Sequence, residues 1–168
     1  SGSYNMISGN HIYQGDTDTD GLRLAGIVLA QANISTTIVG NYIDNCSLEW
    51  TNEHDATPDY NAGFGFSALS VTNNVFLCGD TADWFSYIVL KPYGTGHSIS
   101  GLDISGNTFR AVNGKIDRVE RVDTSFADID YSKLHDIQIA GNSFHNIKAH
   151  VTNPVIKNHR QNSLDSTW

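Results

Sequence analysis

The chain has 168 residues, one domain's worth, with 18 acidic against 10 basic side chains and a formal charge of −8. That balance argues against the basic stripe of a nucleic-acid binder, and no apolar run reaches the length of about 18 residues that a membrane-spanning helix needs. Two cysteines, Cys46 and Cys78, are too few for a disulfide scaffold or a four-cysteine zinc site. Fifteen glycines, three prolines and abundant Asn, Ser and Thr suit short strands joined by turns rather than helices. No charged-then-apolar start resembles a signal peptide, and the opening Ser1-Gly2-Ser3, without an initiator Met, reads as the start of an excised piece.

Five segments align without gaps. In chain order they are Ile7-Ser8-Gly9-Asn10-His11-Ile12, Ile38-Val39-Gly40-Asn41-Tyr42-Ile43, Val71-Thr72-Asn73-Asn74-Val75-Phe76, Ile104-Ser105-Gly106-Asn107-Thr108-Phe109 and Ile139-Ala140-Gly141-Asn142-Ser143-Phe144. The shared asparagines Asn10, Asn41, Asn74, Asn107 and Asn142 follow one another at 31, 33, 33 and 35 residues. Counting from each Asn, Ile or Val stands at −3 and Ile or Phe at +2, while Leu69, Leu102 and Ile137 add an apolar −5. Strand side chains alternate with period two, so −5 and −3 share a face. Positions −3 and +2 are an odd number apart, and both point inward only if the chain bends between them. Gly and Asn at −1 and 0 tolerate the left-handed backbone angles such a bend requires. Each repeat therefore reads as strand, corner, strand.

A further strand is predicted after each corner, at Gly26–Ala30, Ser47–Thr51, Ser86–Leu90, Asp117–Val122 and Pro154–Lys157, with Leu29, Trp50, Val89, Val119 and Val155 as equivalent apolar members. Distances between corner and strand vary, and the longest insertion runs from about Glu53 to Gly65. A repeat of this size cannot bury its own apolar face, so the repeats must stack. Five coils at about 4.8 Å per strand give a column roughly 24 Å tall, in which the asparagines lie one above another and pass amide hydrogen bonds. The predicted fold is all-β, a right-handed parallel β-helix of about five coils forming one domain over residues 1–168. A β-sandwich would leave the fixed motif unexplained.

The Ile-x-Gly-Asn-x-Phe coils resemble the right-handed β-helix of the pectate-lyase-like superfamily. Within it, the runs 45–53 (Asn45 to Glu53), 85–94 (Phe85 to Gly94) and 116–126 (Ile116 to Phe126) are similar to a family of alphaproteobacterial phage- and gene-transfer-agent-type spike proteins. The resemblance implies the later part of a longer β-helix on a virion or cell surface. It also implies homo-oligomers, with trimers expected, and recognition of a cell-surface polysaccharide. The fold alone says little about chemistry, and a polysaccharide lyase, a glycoside hydrolase and a passive shaft stay open as rivals.

Candidate site residues fall in three groups. Two residues beyond each predicted apolar member come Gln31, Asn52, Lys91, Arg121 and Lys157, and two further on Asn33, His54, Tyr93, Asp123 and His159. If these columns face outward they form a polar stripe for a repeating polymer, with Asn52, His54, Lys91, Tyr93 and Arg121 as glycan-binding candidates. A Lys91–Arg121 neighbourhood at ~5 Å would cost about 0.8 kcal/mol in water, and a solvated face with internal ion pairs explains the same residues equally well. The carboxylates Glu49, Glu53 and Asp123 are the catalytic candidates, because glycoside hydrolysis needs two carboxyl groups about 5–10 Å apart. Strand stacking supplies such distances by accident, so this signal is weak. Among the aromatics, Tyr60 and Trp84 are expected at the surface to stack on sugars, while most of the others fit the core. No cofactor or metal site is predicted. Asp16-Thr17-Asp18-Thr19-Asp20-Gly21 starts like a calcium loop, but Ile27 stands where an EF-hand needs Glu, which leaves only adventitious Ca²⁺.

Overall fold

The computed structural model describes residues 2–14, 25–30, 33–51, 65–78, 87–91, 98–111, 120–122 and 134–145. These form sixteen strands in three sheets, with every pairing parallel. The first coil contributes β1 (Gly2–Ser3), β2 (Met6–Ser8), β3 (His11–Tyr13) and β4 (Ala25–Ala30), and the second β5 (Asn33–Ile34), β6 (Thr37–Val39), β7 (Tyr42–Asp44) and β8 (Ser47–Thr51). The third holds β9 (Gly65–Thr72), β10 (Val75–Cys78) and β11 (Ile88–Lys91), and the fourth β12 (Ser98–Ser105), β13 (Thr108–Ala111) and β14 (Glu120–Val122). The fifth holds β15 (Leu134–Ala140) and β16 (Ser143–His145). The chain is a parallel β-helix of about five coils. The first sheet contains β1, β2, β5, β6, β9, β12 and β15; the second runs β3-β7-β10-β13-β16; the third runs β4-β8-β11-β14.

The corner after the first sheet is where the sequence repeat has its physical meaning. Gly9, Gly40, Asn73, Gly106 and Gly141 at position −1 all have φ between 56° and 68°, the left-handed region that L side chains avoid at a cost of about 1–2 kcal/mol. At Gly106 a Cβ would also lie 2.7 Å from the Asn73 Oδ1 of the coil before, so a side chain there would displace the Asn73 amide in addition to straining the backbone. The left-handed residue shifts the side-chain phase by one, and so −3 and 0 both point inward.

Turning inward would orphan the main-chain N–H of the motif asparagine, and the next coil's carboxamide supplies its acceptor. The N–H groups of Asn10, Asn41, Asn74 and Asn107 donate to Oδ1 of Asn41, Asn74, Asn107 and Asn142 at 3.0, 2.9, 2.9 and 2.8 Å. The same four Oδ1 atoms accept from the preceding asparagine's Nδ2 at 3.0 to 3.1 Å. The Nδ2 groups of Asn41, Asn74, Asn107 and Asn142 also donate back to the carbonyls of Ile7, Ile38, Val71 and Ile104 at 2.8 to 2.9 Å. Finally, the asparagine carbonyls accept from the N–H of position +1 one coil on, as in Val75 N to Asn41 O at 2.9 Å. Asn41, Asn74, Asn107 and Asn142 are at most 2% exposed, so a cluster of buried amides is held with its polar atoms paired.

A second left-handed column was not predicted. Tyr4, Ser35, Ala68, Gly101 and Asp136, each six residues before its motif Asn, have φ between 52° and 64°. The ladder between β9 and β12 skips Ala68 and Gly101, passing from Ser67↔Ser100 to Leu69↔Leu102. The effect repeats that of the corner: Ile99 and Leu102, three apart, are both buried. Each first-sheet strand is thus bent at mid-length.

The core runs up the axis. Leu69, Leu102 and Ile137 are in register, as are Ile38, Val71, Ile104 and Ile139, and all are at most 1% exposed. At +2, Ile12 and Ile43 give way to Phe76, Phe109 and Phe144. Their rings stack with centroids 4.9 and 5.7 Å apart and planes within 16°, each pair adding about 0.5–1.5 kcal/mol beyond area burial. Tyr87 packs against Phe76 and Phe109, and its hydroxyl donates to the Arg110 carbonyl at 2.7 Å. Trp50 and Leu29 bury from the third sheet. Cys46 and Cys78 are buried. Gly26 sits at a register shift where a Cβ would collide with the Cys46 sulfur, which keeps that position bare.

The third-sheet strands fall close to their predicted places, but the equivalences differ. Trp50 stands opposite Leu29 and Leu90, and Leu90 opposite Val122. Val89 is therefore one residue off the predicted column, and Val122, not Val119, is the member from the fourth coil. Apolar residues occur at both alternation phases in Ile88-Val89-Leu90, so hydrophobicity alone leaves that register undetermined. Pro154–Lys157 lies outside the described residues.

Two predictions follow from buried polar groups. Thr36 occupies the −5 position of the second coil, is 1% exposed, and its Oγ1 has no hydrogen-bond partner. Thr36→Val keeps the shape and removes the unsatisfied hydroxyl, so it should raise stability by about 1 kcal/mol in urea denaturation. Burial pushes the Tyr87 phenol above the ordinary tyrosine value, with Cys78 adding to the effect. A pKa raised by folding contributes stability that is full below the unfolded value of about 10 and is lost as pH climbs past it. Urea midpoints should therefore fall above about pH 10, and fall less steeply in Tyr87→Phe.

Candidate functional site

With the core inside, any binding chemistry on the described strands lies on the outward faces of the three sheets. On the third sheet, register places Val28, Glu49, Val89 and Arg121 in one cross-strand column, and Ala30, Thr51 and Lys91 in another two residues on. The predicted polar stripe therefore does not form as drawn. Lys91 lies opposite Thr51 rather than Asn52, and Arg121 lies opposite Val89 rather than Lys91. The two cations belong to different columns. Taking Val89 for Leu90 misplaced Lys91 by one residue, and taking Val119 for Val122, three residues on, misplaced Arg121.

Glu49 is half-buried, and its Oε1 accepts from the Ser47 hydroxyl at 3.3 Å. Two strands separate it from the Arg121 position, about 10 Å at ordinary strand spacing. Glu120 sits in the column of Leu48 and Ile88, one position away from the Glu49 column. Between Glu49 and Arg121, Val89 is 2% exposed although it stands apart from the axial core cluster. Asn52, Glu53, His54, Tyr60, Trp84, Tyr93 and Asp123 lie outside the described residues, as does the Asp16–Gly21 run. Among the described residues no group of three or more His, Cys, Asp or Glu gathers as metal ligands.

The second sheet carries chemistry that spacing arguments passed over. Its inward residue is +2, so +1 and +3 face out. The +1 column is His11, Tyr42, Val75, Thr108 and Ser143; the +3 column is Tyr13, Asp44, Leu77, Arg110 and His145. Tyr13 is 61% and Tyr42 39% exposed. The signal was present in the motif itself, since +1 and +3 must oppose +2.

Comparison with protein-family models, with curated proteins and with solved structures found no match. What is shown of this chain's kinship is its architecture, a stack of parallel coils in three sheets.

Proposed function

We propose that this chain is part of a spike-type β-helix that recognises a cell-surface polysaccharide for a phage or phage-like particle, outside the cell and as a homo-oligomer, with a trimer the expected form. The observation that carries the reading is the register-locked outer surface. Equivalent residues of successive coils fall in straight columns at the strand spacing of about 4.8 Å. A repeating polymer running along such a column meets hydrogen-bonding and aromatic groups at a fixed interval, with little loop ordering on binding. The resemblance of the 45–53, 85–94 and 116–126 runs to spike proteins supplies the particle context.

The test is incubation of the intact spike with purified capsular polysaccharides. The expected outcome is binding in affinity electrophoresis with no rise in reducing ends or unsaturated-sugar absorbance over an extended incubation. Depolymerisation would turn the reading to an enzyme, and absence of binding to every polysaccharide would leave a passive shaft.

A further inference from the structure

We propose that Thr108, Arg110, Ser143 and His145 form a subsite for one uronate unit of an acidic polysaccharide, on the outward face of the second sheet at the fourth and fifth coils; the proposal rests on the polysaccharide-binding reading above and names the place and the sugar class. The four residues occupy a square of the ladder, Thr108 opposite Ser143 and Arg110 opposite His145. Phe109 and Phe144 between them are buried, which turns all four side chains outward. Two residues along a strand and one strand across measure about 7 by 5 Å, close to the footprint of a single pyranose ring. The frame beneath the square is firmly held: the two phenylalanine rings stack at 5.7 Å, and the Arg110 carbonyl accepts from the Tyr87 hydroxyl at 2.7 Å.

Charge selects the ligand. Arg110 and His145 are both exposed and stand side by side. The one ion pair among the described residues is His11 with Asp44, so no acid among them neutralises the Arg110 guanidinium. Asp44 itself, in the Arg110 column, lies two strands back, about 10 Å away, with half-buried Leu77 between. The Thr108 and Ser143 hydroxyls likewise make no hydrogen bond among the described residues. In a chain with 18 acidic and 10 basic side chains, an exposed arginine without an acid is a place for a carboxylate from outside. The guanidinium is a planar fork that matches both oxygens of a carboxylate, and such charge-assisted bonds are about twice as strong as neutral ones. The His145 imidazole adds a hydrogen-bonding nitrogen one strand away, and the two hydroxyls, about 7 Å along the strands, meet the far hydroxyls of the same ring. A membrane surface or a nucleic acid needs a broad basic face, and a stable protein interface covers about 800 Å² per side. One guanidinium, one imidazole and two hydroxyls answer a single carboxylate on a hydroxylated ring.

The test uses the full chain on an array of uronate-containing, sulfated and neutral oligosaccharides. Titration calorimetry follows, with the strongest uronate binder and with the same oligosaccharide after its carboxyl groups are reduced to alcohols. Carboxyl reduction and Arg110→Gln should each weaken binding about tenfold or more, and together should cost no more than either alone. Arg110→Lys keeps the charge but not the fork and should lose several-fold, as should Thr108→Val combined with Ser143→Ala, with circular-dichroism melts close to wild type throughout. Wild-type binding confined to neutral or sulfated glycans, or uronate binding unchanged by carboxyl reduction or by Arg110→Gln, would overturn the subsite and leave polysaccharide recognition standing. No binding to any glycan by the wild type would overturn both. A wild-type oligomer that dissociates in Arg110→Gln while uronate affinity stays unchanged would overturn the subsite in favour of a subunit contact.

Discussion

The fold depends on how five corners satisfy buried amides. A chain that turns inward at Asn must leave a main-chain N–H and a carbonyl without strand partners, and each such group costs about 1–3 kcal/mol when buried. In this molecule the side chain of the same residue, one coil on, answers both needs: Oδ1 takes the N–H, and Nδ2 reaches the carbonyl at −3. Each carboxamide also donates to the next, so the amide dipoles align head to tail along the stack and strengthen one another. Aspartate lacks the donors, and glutamine would displace the amide by one methylene. The requirement for Asn is chemical, and it explains why this residue is the least varied feature of the repeats.

Everything inward follows from that fixed point. Once the asparagines are in line, −3 and −5 on one side and +2 on the other are forced into register, and the column of Ile38, Val71, Ile104 and Ile139 and the stacked Phe76, Phe109 and Phe144 follow from one alignment. These parts were readable from the residues because each position tolerates few residue types. The bend six residues before each Asn was not readable, because Tyr4, Ser35, Ala68, Gly101 and Asp136 share no chemistry. The ladder passes over Ala68, Gly101 and Asp136, and only the stacked register marks them as equivalent. The third-sheet register was lost for a different reason: Ile88, Val89 and Leu90 are all apolar, and the connecting segments differ in length, so nothing local marks which one faces Trp50.

The same logic governs what was legible of function. Glu49 and Arg121 fall within the strands expected for them and Lys91 ends a strand expected to stop at Leu90, but a slip of one residue separates a column from its neighbour. A functional stripe in a β-helix is therefore only as sound as the register behind it. On the second sheet the motif itself supplies the register, and there His11, Tyr13, Tyr42 and Asp44 meet. Because the backbone and core are held by groups pointing inward, the outer columns are free to vary without loss of the frame. That division of labour lets one architecture host many surfaces.

The most direct measurement of the central claim is urea denaturation of Asn74→Ala beside Asn10→Ala. Asn74 is 1% exposed, and its side chain hydrogen-bonds to Asn41, Ile38 and Asn107, whereas Asn10 is exposed at the first coil. The ladder account predicts a loss of about 2–4 kcal/mol for the inner site and about 1 kcal/mol or less for the outer one. Equal, small losses at both sites would contradict it and show that apolar stacking alone holds the coils in register.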